Sequence, residues 1–234
     1  MSDFVTIEGG DGSGKGTQTE IFAEYARTEL EKDVLQLSFP SYGERQAVYV
    51  ERYLNGQYGE GNEVSADLAS LPYVLDRFAK KDLIQAHLER PNSLVLSDRF
   101  SGSNFAHQGT KFANEADRTQ YYEEMMWLEW EFLGIPKPDI NVVLLVKTAL
   151  AQANVDKKAA RGYTSLKRDI HEADANHLEL AKLNYEELTR LYPETFVGVD
   201  CMEDEKRMLS IDAIQLLIRR TFEEFTDKKA ALRP

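Results

Sequence analysis

The sequence predicts an α/β fold in three layers, a five-stranded parallel sheet with helices on both faces, forming a single domain over residues 1–234. Two observations point to it. Short apolar runs recur along the 234-residue chain, and longer segments of helical period separate them. Runs that are apolar nearly throughout are what strands covered on both faces look like. Strand alternating with helix implies βαβ units, hence parallel strands and right-handed connections. No internal repeat, low-complexity tract or Gly/Ser linker divides the chain.

In order, residues 4–8 (FVTIE) read as the first strand and 17–32 as the helix after it. A second strand is predicted at 34–39 (VLQLSF), one or two helices within 63–90, and a third strand at 93–98 (SLVLSD). A helix over 117–133 ends before Pro136 and Pro138, which cannot continue it. Residues 141–146 (NVVLLV) and 195–200 (TFVGVD) are the remaining strands, with a helix at 178–192 between them. A last helix over 206–225 places Met208, Ile211, Gln215, Ile218, Phe222 and Phe225 on one face.

Forty acidic residues against 28 basic ones leave a net charge of −12. Such a surface is repelled by nucleic acid polymers and anionic membranes, whose binding proteins gain affinity by neutralising phosphates. At 42% hydrophobic residues the chain is too apolar for a disordered acidic tail. Cys201 is the single cysteine, so no intramolecular disulfide forms and a cytoplasmic, reducing setting is expected. The opening MSDFVTIEGG lacks the basic-then-apolar pattern of a secretory leader, and no apolar run approaches the roughly 18 residues of a membrane span. One segment runs against the charge balance. Residues 147–168 carry six basic residues and one acidic, a local +5 that leaves −17 on the rest.

The first strand leads directly into GGDGSGKGTQ, residues 9–18, with the spacing of a phosphate-binding loop that opens a helix. Glycines let successive backbone N–H groups converge on phosphate oxygens, the helix adds the positive end of its dipole, and Lys15 adds a mobile cation. Gly10, Asp11, Gly12, Ser13, Gly14, Lys15, Gly16 and Thr17 are therefore the candidate ATP-phosphate-binding residues. Gly16 stands where such loops usually carry a Ser or Thr ligand to Mg²⁺, so the ion is expected to rest mainly on nucleotide phosphates, water and a carboxylate. The third strand ends in Asp98-Arg99, an acid placed for Mg²⁺ beside a guanidinium able to grip a second phosphate with two donors. A guanine-reading NKxD-like loop is absent, which argues against a GTPase.

In these patches the sequence resembles the thymidylate kinase family, which transfers the γ-phosphoryl group of ATP to dTMP. GGDGSGKGTQ resembles that family's phosphate loop, Phe39-Pro40 the FP pair ending its second strand, and LPYVLDRF (71–78) the helix presenting an aromatic and an arginine to the nucleotide. DRFSGSNFAHQG (98–109) resembles its DR(Y/H)xxSxxAyQ segment, and RDIHEADANHLELAKLNYEEL the acidic stretch and helix after its lid. The resemblance implies a P-loop kinase fold, Mg²⁺ as cofactor with Asp98 as its ligand, a homodimer formed through helices such as 63–90 and 117–133, and supply of dTTP as the role.

It also implies that Asp11 approaches the acceptor's sugar, that Phe39 walls its base, and that Arg77 and Arg99 hold its phosphate. Tyr73 stacks on the base, one helical turn before Arg77. Ser103, Asn104 and Gln108 supply donors and acceptors to a pyrimidine edge. The basic segment becomes a mobile lid at about 147–172, with Arg161 and Arg168 as candidate catalytic cations alongside Lys15 and Arg99. Arg45 lies further from Phe39-Pro40 than the family's FPxR spacing, and His107 replaces a frequent aromatic. Kinases for dUMP, UMP, CMP or AMP, and a non-catalytic nucleotide sensor, remain the alternatives.

Overall fold

The computed structural model describes residues 2–59, 63–156 and 175–231. Within them five strands, β1 (Asp3–Gly9), β2 (Asp33–Ser38), β3 (Ser93–Asp98), β4 (Ile140–Leu145) and β5 (Phe196–Asp200), form one parallel sheet in the order β2-β3-β1-β4-β5. All five predicted strands are present, with ends shifted by at most a residue. In register, Ile7 lies beside Asp98, Ser38 beside Asp98, and Gly9 beside Leu144. The ends of β1, β2 and β3 thus share one rim. There the chain leaves β1 toward β2 on one side and later crosses to β4 on the other, the position where ligands bind in such sheets.

One face of the sheet carries α1 (Lys15–Thr28) and α9 (Ile211–Ala231), which seal a core of Val5, Ile7, Phe22, Leu94, Leu96, Ile140, Val142, Leu144, Ile214, Ile218 and Phe222. Phe22 and Phe222 meet edge to face at 5.4 Å, a pairing worth about 0.5–1.5 kcal/mol beyond its buried area. The opposite face carries α3 (Ala66–Ala79), α4 (Lys81–Leu88), α5 (Ser101–Gly109), α6 (Glu115–Met126) and α8 (Ala175–Leu191) over Phe4, Val95 and Val143. The period-2 alternation of Phe4 and Val5, or Leu94 and Val95, thus feeds two cores from one strand.

Several boundaries differ from the sequence reading. The helix predicted over 17–32 begins at Lys15 and stops at Thr28, and Glu31 adopts a left-handed φ of 51° at the turn into β2. Residues 63–90 hold two helices, as α3 and α4. The predicted helix 117–133 is α6 continued as a π-helical turn over Trp127–Phe132. The start of the predicted helix 206–225 is instead the second arm of an antiparallel hairpin, β6 (Met202–Asp204) and β7 (Arg207–Met208), and α9 begins at Ile211. Asp204 caps that turn, accepting the Lys206 N–H at 2.8 Å and the Arg207 Nε at 2.8 Å, and so diverts Met208 from the helix. Three further helices were not predicted: α2 (Val48–Leu54), α5 (Ser101–Gly109) and α7 (Thr148–Asp156).

Candidate functional site

The phosphate loop is held open by its glycines. Gly9, Gly12 and Gly14 have φ values of 137°, 82° and 95°, in the region that L side chains avoid. At Gly12 a Cβ would also collide with the Ala151 carbonyl oxygen, because α7 is seated directly on the loop. Asn154 of α7 donates to the Gly12 carbonyl at 3.1 Å. Lys15 opens α1 and folds back to donate to the Gly10 carbonyl at 2.7 Å. Burial first, and Arg99 nearby second, pull its pKa down to about 8. Ser13 is buried inside the loop, whereas Thr17 is exposed on α1.

Beside the loop opens a cavity of about 330 Å³, large enough for a small ligand. Gly12, Gly14, Lys15 and Gly16 line one side of it. Every residue assigned from the sequence to the acceptor also lines it: Asp11, Phe39, Tyr73, Arg77, Arg99, Ser103, Asn104 and Gln108. Asp98 does so as well. Gly10, Ser13 and Thr17 do not. Arg161 and Arg168 lie outside the described residues, as does most of the segment read as a lid; its first part, over 148–156, is α7.

Arg99 takes a left-handed backbone, φ 67°, that turns its side chain back across the loop. Its guanidinium donates to Asp11 Oδ1 at 2.5 Å, to Ser103 Oγ at 2.9 Å and to the Gly9 carbonyl at 3.3 Å. Burial works against its charge, but Asp11, Tyr185, Asp98 and Glu8 outweigh that and hold its pKa well above the usual arginine range. Asp98 Oδ1 is buried without a hydrogen-bond partner among the described residues, and Oδ2 lies 3.3 Å from where a side chain at Gly16 would begin. Asn104 is buried with both amide atoms unpartnered among the described residues. Such groups need partners, and the cavity is where a ligand would bring them.

Arg77 enters the cavity wall but is not wholly given to it. Its Nε and Nη2 form a two-pronged pair with Glu129 at 2.7 and 2.6 Å, with both side chains essentially inaccessible (2% and 0%). Nη1 is the nitrogen that does not engage Glu129. The π-helical turn brings Glu129 inward, as such turns often do at functional sites. Tyr73 packs edge-on to Tyr53 at 6.2 Å, and Phe39 edge-on to Phe100 at 5.3 Å. The Ser103 hydroxyl donates to Glu8 rather than pointing only at the cavity.

Other participants were not singled out from the sequence. Glu8 and Tyr185 are buried against the already assigned Ser103, Tyr53 donates to Oε1 of the already assigned Gln108 at 3.3 Å, and Asp76 accepts the Ser41 N–H at 2.7 Å on the cavity wall. Burial raises the pKa of Asp76. Of these, Glu8 carried the one weak signal: a carboxylate where a mostly apolar strand runs into the loop, a place where an unpaired buried charge is expensive.

A strand–phosphate loop–helix unit, a second arginine at the end of the neighbouring strand and a shared cavity define a P-loop kinase of the nucleoside monophosphate type. The comparisons narrow this further. The family model described as thymidylate kinase matches residues 7–209. Thymidylate kinase of Mycobacterium tuberculosis is 32% identical over 186 residues, covering 79% of this chain and 84% of that protein. That of Exiguobacterium is 26% identical, covering 91% and 95%. The thymidylate kinase structure from Candida albicans superposes with a TM-score of 0.68 at 21% identity, covering 97% of this chain and 92% of that one. The chain belongs to the thymidylate kinase family.

Proposed function

We propose that this protein phosphorylates dTMP to dTDP with ATP, the step that feeds dTTP supply. The observation that carries this is one cavity that Lys15 of the phosphate loop shares with Arg99, Arg77 and the amide of Asn104, unpartnered among the described residues. An oxygen of the dTMP phosphate attacks the γ-phosphorus as the bond to the ADP oxygen breaks. The nucleophile is already an oxyanion, so no strong base is required.

In this reading the loop N–H groups and Lys15 hold the donor phosphates, and Arg99 with Arg77 Nη1 holds the acceptor phosphate. Asp11 exchanges part of its contact with Arg99 for the sugar hydroxyl. Phe39 and Tyr73 enclose the base, and Asn104 and Gln108 read its edge. The sequence assigns the remaining transition-state cations to Arg161 or Arg168. Among the described residues no group of three or more His, Cys, Asp or Glu side chains could hold a metal. The Asp98 carboxylate, its Oδ1 unpartnered among the described residues and its Oδ2 beside Gly16, nevertheless suits a Mg²⁺ ion whose other ligands would be phosphate oxygens and water. When bound, Mg²⁺ neutralises charge on the transferring phosphoryl group.

We further read the protein as a homodimer in a cytoplasmic setting, with the chain acting as one domain. Leu68, Leu71, Leu75 and Phe78 are exposed along one stripe of α3, and Trp127 stacks on Phe132 on the surface at 5.4 Å. An apolar stripe of this length is what a helix hides against a partner. No helix among the described residues is long and apolar enough to cross a membrane. The proposed reaction is tested by following ADP and dTDP together. One dTDP should form per ADP, and ADP formation that does not depend on dTMP would overturn it.

A further inference from the structure

Glu8 is fully buried in β1, one residue before the phosphate loop. Its Oε1 accepts the N–H of Phe100 at 2.8 Å, and its Oε2 accepts the Ser103 hydroxyl at 2.6 Å. The Tyr185 hydroxyl lies 2.8 Å from Ser103 Oγ and 3.4 Å from the same Glu8 oxygen. Ser103 Oγ in turn accepts Arg99 Nη1 at 2.9 Å. The carboxylate is pressed so closely on the first turn of α5 that a Cβ at Gly102 would come within 2.9 Å of Oε1. Phe100, the residue that caps α5, offers no side-chain cap of its own. Glu8 braces this end of the helix from outside, through the N–H of the N-cap residue and the hydroxyl of Ser103 in the first turn, and its negative charge faces the positive end of the helix dipole.

Two consequences fall on Arg99. Its left-handed backbone is a strained state for a residue with a side chain, by about 1–2 kcal/mol, and persists only where the surroundings enforce it. Glu8 enforces it by holding the very next N–H. Through Ser103 it also fixes one prong of the guanidinium. Asp11, the other carboxylate on Arg99, lines the cavity, whereas Glu8 is fully buried behind it.

We propose that Glu8 is a positioning residue for the phosphoryl transfer, setting the backbone of the β3–α5 turn and, through Ser103, the aim of Arg99 at the acceptor phosphate. This rests on reading Arg99 as a ligand of that phosphate.

Glu8→Gln is the test. The amide keeps the size and can still accept from Phe100, but it removes the charge and presents a donor to Ser103, which already accepts from Arg99. kcat/KM for the monophosphate should fall by about 10- to 100-fold, the range for a lost charge-assisted contact. The KM for ATP should stay within about twofold, because the donor loop is not addressed. Glu8→Gln combined with Arg99→Ala should be no worse than Arg99→Ala alone. Fully additive losses, or equal rises in both KM values, would show a merely structural role and overturn the proposal. Should Glu8→Gln fail to fold, Ser103→Ala cuts the same link outside the strand. It should lower kcat/KM in the same selective way, and an unchanged value would also overturn the proposal. All variants are assayed with whichever monophosphate the wild-type protein turns over fastest. A monophosphate other than dTMP would then refute the preceding functional reading while leaving this one standing, and additivity would do the reverse.

Discussion

The buried pair between Arg77 and Glu129 makes a prediction that separates folding from ligand recognition. The two residues are 52 positions apart and joined by two short hydrogen bonds, with neither side chain reaching solvent appreciably. Arg77→Ala therefore strands a carboxylate in the interior between α3 and the π-helical turn. Removing one partner of a buried pair destabilises by about 3–5 kcal/mol, whereas replacing both by apolar residues is often neutral. For a chain of this length each kcal/mol lowers Tm by about 2–4 °C, so Arg77→Ala should melt roughly 6–20 °C below wild type. Arg77→Met with Glu129→Met should recover most of that loss. It should not recover dTMP affinity, because the nitrogen left over from the Glu129 contact is the one assigned to the phosphate. Scanning calorimetry of the three proteins, with dTMP titrated into each, reads both quantities. An Arg77→Ala protein that melts within about 2 °C of wild type would refute the account of the pair. A double variant that binds dTMP normally would remove Arg77 from the site.

Three more outcomes are expected. Burial and Arg99 hold the Lys15 pKa at about 8, and a bound phosphate raises it, so ATP binding at pH 8 should take up about half a proton. Calorimetry in two buffers of different ionisation heat measures this, and zero uptake or proton release would contradict it. Gly12→Ala should abolish ATP binding and loosen α7, since the new Cβ meets the Ala151 carbonyl, whereas Gly14→Ala, with nothing within 4 Å, should carry only the backbone strain of its positive φ; similar Tm losses for the two would be wrong. Leu71→Glu on the exposed stripe of α3 should shift a sedimenting dimer to monomer at micromolar concentration, and an unchanged profile would place any dimer contact elsewhere.

The central sheet was legible because its strands are covered on both faces and so carry continuous apolar runs; β3 was read to the residue at 93–98. The phosphate loop was legible because its chemistry is local, ten consecutive residues with fixed glycine positions. What stayed hidden depends on distant partners. α5 begins with Ser, Gly, Ser and Asn, poor helix formers. It forms because Glu8 accepts the Phe100 N–H just before it and the Ser103 hydroxyl in its first turn, and because Phe105 and Ala106 pack beneath Tyr122 and Tyr185. Arg77 read as a free phosphate ligand because Glu129, in a helix of different period, gave no hint that it turns inward. Glu8 looked like the end of a strand. The second arm of the hairpin, over 206–208, was absorbed into a helix because its charged residues are equally at home in either.

The most direct test of dTMP phosphorylation is a turnover panel in which ATP is offered with dTMP, dUMP, UMP, CMP and AMP in parallel, with ADP release measured for each and without acceptor. dTMP should give the highest kcat/KM, and ADP release without an acceptor should be slow. Faster turnover of CMP or AMP, or ADP release indifferent to any monophosphate, would contradict it.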